Sequence, residues 1–334
     1  MKRKPNLIDR FSRRRVLARL SGLRGGRIRV QDASGETEIG EGDASHIELT
    51  VVDCRFYRRI LSGGSLEAAA AYLDGDWRCD DLVSLFRMLL RNRDQTGRFD
   101  RSTAAFVRLW NRLRHWLRHN SRSGSRRNIA AHYDLGNDFF GLWLDPTLAY
   151  SCGIFRSPDT TLQEASIEKF DRVCRKLDLR PGDHLLEIGT GWGGFAMHAV
   201  ENYGCRVTTT TISRRQYECT IERIRAAGLS DKITLRECDY RDLSGQFTKL
   251  ASIEMIEAIG HHNFDTYFAK CSQLLRPDGS AVIQAIVMPD QRYNDYLRSV
   301  DFIQAYVFPG GSLPSLQAML EAAGRASDLR VVHV

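Results

Sequence analysis

Two rhythms of apolar and polar residues divide this chain. From Arg27 to Asp53 the runs are short and alternating, with Ile28 and Val30 followed by Ile47, Leu49 and Val51, punctuated by Gly and Asp. That spacing predicts small antiparallel strands. An Arg-rich arm and helix (1–24) precedes them, and helical patterns follow in FYRRIL, SLEAAAAYLDGDW and DLVSLFRMLLRN. The front is therefore expected to be an α+β domain of residues 1–97. Residues 98–127 form a separate stretch. Within 103–119, Phe106, Trp110, Leu113 and Leu117 recur at helical spacing while Arg108, Arg112, His115 and His119 fall opposite. This predicts an amphipathic helix with a cationic face, lying either on protein as a linker or in a lipid headgroup layer.

After residue 128 apolar strands alternate with helices. Strands are expected at 184–188, 205–210, 233–237, 250–255 and 280–287, with a short one starting at 330–334. Helices are expected near 161–178, 193–203, 213–227, 263–275 and 314–323. This alternation predicts a doubly wound parallel sheet in a domain of residues 128–334.

Charge sharpens the division. Residues 1–130 carry 27 Lys and Arg against 15 Asp and Glu, and residues 131–334 carry 21 against 26. A basic front suggests a polyanionic partner, either nucleic acid or anionic membrane. No nucleic-acid-binding module is recognisable, and a Trp-bearing amphipathic helix suits lipid better. The hydrophobic fraction of 43% and charged fraction of 27% are those of a soluble globular protein. No run of 18 apolar residues and no signal-peptide core is present, so neither a membrane span nor secretion is expected. The eight cysteines (54, 79, 152, 174, 205, 219, 238, 271) form no Cys-x-x-Cys pair. That argues against a zinc site or redox dithiol, suggests a reducing cytosol, and leaves no metal expected.

The chemistry concentrates after the first strand of the second half, in Glu187-Ile-Gly189-Thr-Gly191-Trp-Gly193-Gly194. Such glycines let backbone turn tightly and approach a nucleotide at a helix N-terminus. A nicotinamide cofactor fits that pattern too. However, Glu187 before the first Gly suits a cationic amino-acid moiety better than a pyrophosphate, and no acid follows the second strand, which ends TTTTIS. These features favour S-adenosylmethionine.

Further segments carry a family resemblance. AHYDLGNDFFGLWLDPTLAYSCGIF (131–155), ISRRQYECTIER (212–223), DYRDLSGQF (239–247), the 289–315 stretch and GGSLEAAAAYLDGDW (63–77) resemble the cyclopropane-fatty-acyl-phospholipid synthases over essentially the whole chain. The resemblance implies a Rossmann-like class I methyltransferase sheet preceded by a smaller α+β domain. It implies a methyltransferase that adds the methyl(ene) carbon of S-adenosylmethionine to an acyl-chain double bond of a membrane phospholipid, at the cytoplasmic face of the membrane, with a homodimer possible. Carried over by position, Tyr150 and Ser151 would touch the cofactor, and Glu187, Gly189, Gly191 and Gly193 would receive it. Thr211 and Gln216 would hold its ribose side, while Asp239 and Tyr240 would flank adenine. Cys152, Glu257 and Ile286 would hold bicarbonate beside the reacting carbon, in a dry apolar cavity. A covalent role for Cys152 is the lesser alternative, since no His is positioned by motif to activate it.

Two departures stand out. Where many members have a Glu-His pair and a His two residues before the Ile, this chain has Glu257-Ala258 and Gln284. An amide can hydrogen-bond bicarbonate but cannot supply a cationic partner, so a methylated or methylene product is the alternative. Members also generally continue several tens of residues past the position matching Val334. The expectation is thus a sheet incomplete at its C-terminal edge, weak activity for this chain alone, and, as a third reading, an inactive lipid-surface relative.

Overall fold

The computed structural model describes residues 5–94, 124 and 136–334, so the expected amphipathic helix of 103–119 and the boundaries at 97 and 127 lie outside the described residues. The chain forms two compact units, Val300–Phe302 grouping with the N-terminal one.

In the N-terminal unit, α1 (Leu7–Leu20) starts at Asn6, whose side chain accepts from Asp9 N while the Asp9 carboxylate accepts from Asn6 N. This reciprocal cap satisfies two otherwise orphaned donors of the first turn. Strands β1 (Arg27–Asp32), β2 (Gly35–Ile39), β3 (His46–Val51) and β4 (Trp77–Cys79) form a sheet of order β2-β1-β3-β4. The expectation of purely antiparallel strands is corrected here, because β1 and β3 pair in parallel. The chain leaves β2 through residues 40–45 and returns on the far side of β1, with Gly40 (φ +94°) and Gly42 (φ +110°) supplying the bends. The two expected helices FYRRIL and SLEAAAAYL are one kinked element, α2 (Arg55–Leu73), broken at Gly64 (φ +63°). Helix α3 (Leu82–Arg91) completes this unit.

The second unit holds a five-stranded, all-parallel sheet of β5 (His184–Ile188), β6 (Arg206–Thr211), β7 (Ile233–Glu237), β8 (Phe247–Ile253) and β9 (Leu275–Gln284). Its order is β7-β6-β5-β8-β9. Side chains alternate across the pleat, so adjacent residues of β5 serve opposite cores. Leu185 packs with Phe170, Val173, Phe195 and Val207, whereas Leu186 packs with Leu250, Tyr267, Phe268 and Leu274. Helices α5 (Leu162–Lys176) and α6 (Gly194–Tyr203) cover the first face; α8 (Phe264–Leu274) and α10 (Leu316–Ala326) cover the second. The remaining helices are α4 (Asn137–Gly141), α7 (Arg214–Ala226) between β6 and β7, and α9 (Asp290–Leu297).

The strand expected at 330–334 is not formed, and Val332 there is 94% exposed. Strand β9 stops at Gln284 rather than at 287 because its backbone donors turn elsewhere. Ile286 N donates to the Glu257 carboxylate and Met288 N to Pro314 O.

Between β5 and α6 the chain turns through Gly189 (φ +101°), Gly191 (φ +53°) and Gly193 (φ +84°). A Cβ on Gly193 would sit 2.7 Å from Thr220 Cγ2, whereas one on Gly191 would meet nothing within 4 Å. Replacing Gly191 by Ala should therefore cost only the left-handed backbone penalty, about 1–2 kcal/mol. Gly193→Ala should cost more than that, since overpacking adds about 1–3 kcal/mol. Urea denaturation of the two variants should separate them in that order.

Candidate active site

In an open parallel sheet, the crevice forms where the strand order reverses, outside the carboxyl ends of the strands. Here the reversal flanks β5, with β6 on one side and β8 on the other. A cavity of about 170 Å³ lies at that point, lined by the ends of β5, β6 and β8 and by residues 148–151.

Nine of the ten expected cofactor residues line it: Tyr150, Ser151, Glu187, Gly189, Gly191, Thr211, Gln216, Asp239 and Tyr240. Gly193 stands behind them as the left-handed N-cap of α6. Each is positioned by a local cause. Gly189 N and Thr190 N both donate to Thr210 O, at 3.2 and 2.9 Å, which ties the glycine turn to β6. Thr211 Oγ1 donates to Gln216 Oε1 at 2.9 Å, both side chains being buried. Asp239 is gripped by Arg241, whose Nε and Nη2 donate to its two oxygens at 2.8 and 2.7 Å. Tyr240 is buried, and its hydroxyl has no hydrogen-bond partner.

Glu187 is the electrostatic centre. It is 2% exposed and accepts from Thr209 Oγ1 at 2.5 Å. Burial pushes its carboxyl up to about 7, only partly opposed by Thr209 and by the charge of Lys169. A carboxyl held so far from its ordinary range regains its charge when a cation arrives beside it. Together with the backbone turn, this fits the cationic amino-acid end of S-adenosylmethionine.

The four residues expected at the reacting carbon fall into two pairs, and none of them lines the cavity. Glu257 Oε1 accepts from Ile286 N at 2.5 Å, while its Oε2 is buried without a partner. Burial, with a further push from Glu254, raises the Glu257 carboxyl to about 7. Cys152 and Gln284 meet instead on a residue that the sequence reading missed, Glu254. Its Oε1 accepts from Cys152 N at 2.9 Å and from Gln284 Nε2 at 2.8 Å, and Gln284 Nε2 also approaches Cys152 Sγ at 3.3 Å. Partial burial and the Glu254 carboxylate push the Cys152 thiol up, which disfavours the thiolate a nucleophile would need.

The expectation of a dry enclosure needs correction on one side. Cys152 is exposed and Ile286 is 48% exposed, because β9 is the outer strand of the sheet and both residues lie beside its end. Tyr150 lines the cavity at the centre of an aromatic cluster. Tyr150 packs against Phe140 and Trp143 at 5.3 Å and stacks with Phe308 at 6.3 Å.

Lys169 was also missed. It is 1% exposed, and its Nζ donates to Ser151 Oγ at 2.5 Å. Burial lowers its ammonium, with Glu254 the largest opposing charge. A sequence signal existed, since Lys169 falls on the buried stripe of α5 with Ala165, Ser166, Phe170 and Val173. A lysine there has to find a polar partner inside. Glu254 had a weaker signal, being an acid just past an apolar strand.

Comparison with known proteins agrees with this geometry. Tuberculostearic acid methyltransferase UfaA1 of Mycobacterium tuberculosis is 37% identical over 293 residues, covering 82% of this chain and 65% of that protein. The cyclopropane-fatty-acyl-phospholipid synthase of Escherichia coli K12 is 36% identical over 284 residues, covering 83% of this chain and 69% of that protein. The chain thus spans about two thirds of the length of these relatives. Among solved structures, mycolic acid cyclopropane synthase CmaA1 complexed with SAH and CTAB superposes with a TM-score of 0.58 at 33% identity, covering 62% of this chain and 76% of that one. The fold is that of the class I S-adenosylmethionine-dependent methyltransferases. Residues 120–334 match the model of the mycolic acid cyclopropane synthetases, and the chain belongs to that family.

Proposed function

We propose that the protein transfers the methyl carbon of S-adenosylmethionine to the double bond of an unsaturated acyl chain in a membrane phospholipid. The observation that carries this reading is the convergence of Glu187, the glycine turn, Thr211–Gln216 and Asp239–Tyr240 on one cavity whose mouth is walled by Tyr150. When bound, the donor supplies an electrophilic methyl on a sulfonium. The residues of the chain do the rest. Glu187 and the turn seat the cationic end, Asp239 and Tyr240 flank the adenine, and Tyr150 with Ser151 closes the reacting side. An alkene is a feeble nucleophile, so holding the methyl in line and close is most of the catalysis. Tyr150, backed by the buried Phe140, and the partly exposed Trp143 offer an apolar surface to a hydrocarbon tail. The phospholipid is inferred from the named substrate class of the Escherichia coli relative.

Bicarbonate, implied by the family resemblance, fits this donor set poorly. An anion needs N–H donors, and those of Cys152 and Ile286 are already hydrogen-bonded to the carboxylates of Glu254 and Glu257.

No helix among the described residues is long and apolar enough to cross a membrane. We infer association with the anionic inner face of the cell membrane from the basic front half and from Trp110 and Trp116 in its amphipathic pattern. Sedimentation with anionic but not zwitterionic vesicles, lost when both Trp become Ala, is the expected outcome.

Calorimetry with S-adenosylhomocysteine tests the seat. Below about 7 the Glu187 carboxyl is protonated and must lose its proton to meet the ligand's cation, so affinity should fall with falling pH and level off above 7. Glu187→Gln should weaken binding about 10- to 100-fold and flatten that pH profile. The reaction itself is read by mass spectrometry of phospholipids from expressing cells. The expected result is a gain of one CH₂ per modified acyl chain, with gas chromatography separating ring from methylene products. A further gain of two hydrogens would indicate a methyl branch, and binding of the donor without any lipid change would favour a lipid-surface role.

A further inference from the structure

Glu254 holds a backbone conformation that only Leu148 and Asp178 share among described non-glycine residues, a positive φ, here +49°. Such a conformation costs on the order of 1–3 kcal/mol and persists only where its surroundings enforce it. Two things do so here. Its N–H donates to Gln284 O at 2.8 Å, and its side chain is clamped by Cys152 N and Gln284 Nε2. Both clamping residues act on Oε1. Among the described residues, no nitrogen donor reaches Oε2. Glu254 lines the cofactor cavity together with Tyr150, Ser151 and Met255, which Glu257 does not. The two acids at the end of β8 thus have different tasks. Glu257 braces Ile286 past the end of β9, and Glu254 borders the cofactor cavity.

We propose that Glu254 is the catalytic base of the methyl transfer reaction, taking the place that a bound bicarbonate would otherwise have. This rests on the methyltransferase reading above. The π electrons of the alkene form a C–C bond to the methyl carbon, the C–S bond breaks, and its electron pair stays on sulfur. The acyl chain is left as a carbocation. A proton then passes from the transferred methyl group to the Glu254 carboxylate. The C–H pair it leaves behind closes a cyclopropane ring, or forms a methylene after a hydride has shifted between the neighbouring carbons. The carboxyl finally loses its proton to water. Gln284 cannot do this, because its amide has no basic site of comparable strength. Instead it and Cys152 N hold Oε1, which positions the carboxylate and blunts its attack on the carbocation. Ala258, which also lines the cavity, contributes no competing base.

The test uses the purified chain with vesicles of dioleoyl phosphatidylglycerol, S-adenosylmethionine and CO₂-free buffer, reading S-adenosylhomocysteine release and lipid mass. Wild-type turnover should be unchanged by added bicarbonate. Glu254→Gln should lose about 100-fold or more in turnover, while binding S-adenosylhomocysteine within about threefold of wild type. Glu254→Gly, which removes the backbone strain and opens a space for a small anion, should be inactive alone and partly restored by formate or bicarbonate. Wild-type turnover that requires bicarbonate, or a Glu254→Gln variant that keeps it, overturns the assignment while leaving the methyltransferase reading intact. Should Glu254→Gln fail to fold, the bicarbonate response of the wild type still decides. A wild-type chain that transfers no methyl group to lipid defeats both readings together.

Discussion

A carboxylate buried at the end of a central parallel strand sets the terms for this site. Glu187 lies at the point where the strand order reverses, so flanking strands deny it solvent and leave it Thr209 as its close hydrogen-bond donor. Burial of an acid without a full counter-charge is unfavourable, and the protein answers with a carboxyl poised near neutrality. The site is thereby complementary to a cation before any ligand arrives. The glycine turn that follows serves the same end, since its left-handed residues bring backbone into the crevice where side chains would block it.

The outer side of the cavity follows a different logic. Around the ends of β8 and β9, backbone donors and carboxylates are matched within the chain: Cys152 N with Glu254, Ile286 N with Glu257. Two acids held near each other repel, which is part of why Glu257 sits so far above its ordinary range. Lys169, buried on Ser151, places a cation in the same field and moderates it. The result is an outer edge whose backbone donors are matched to carboxylates within the chain, beside an aromatic cluster centred on Tyr150.

Much of this is legible in the sequence itself. Apolar strands alternating with helices foretold the parallel sheet, and its five expected helices and four of its five expected strands fall within three residues of expectation because β5 and its neighbours are buried on both faces. Nine of the ten residues expected at the cofactor meet on one cavity; the glycines and the acid before them are marked by local chemistry, whereas residues such as Tyr150, Ser151, Asp239 and Tyr240 were placed by resemblance. What failed to show were residues whose role depends on distant partners. Glu254 is joined to Cys152 across 102 positions and to Gln284 across 30, and no local pattern records either pairing. The parallel pairing of β1 with β3 was hidden for the same reason, since strand direction follows from the path of the intervening loop.

By itself, then, the sequence determined the period of each element, the glycine turn and the acid that precedes it, because these are set by steric and hydrophobic preferences acting over a few neighbouring residues. Tertiary structure alone decided which carboxylate faces the cavity, which one braces an outer strand, and which backbone donors are already satisfied. Those outcomes depend on three-dimensional proximity in a low-dielectric interior, where a shift of a few ångströms changes a hydrogen-bond partner and with it the charge a group can hold.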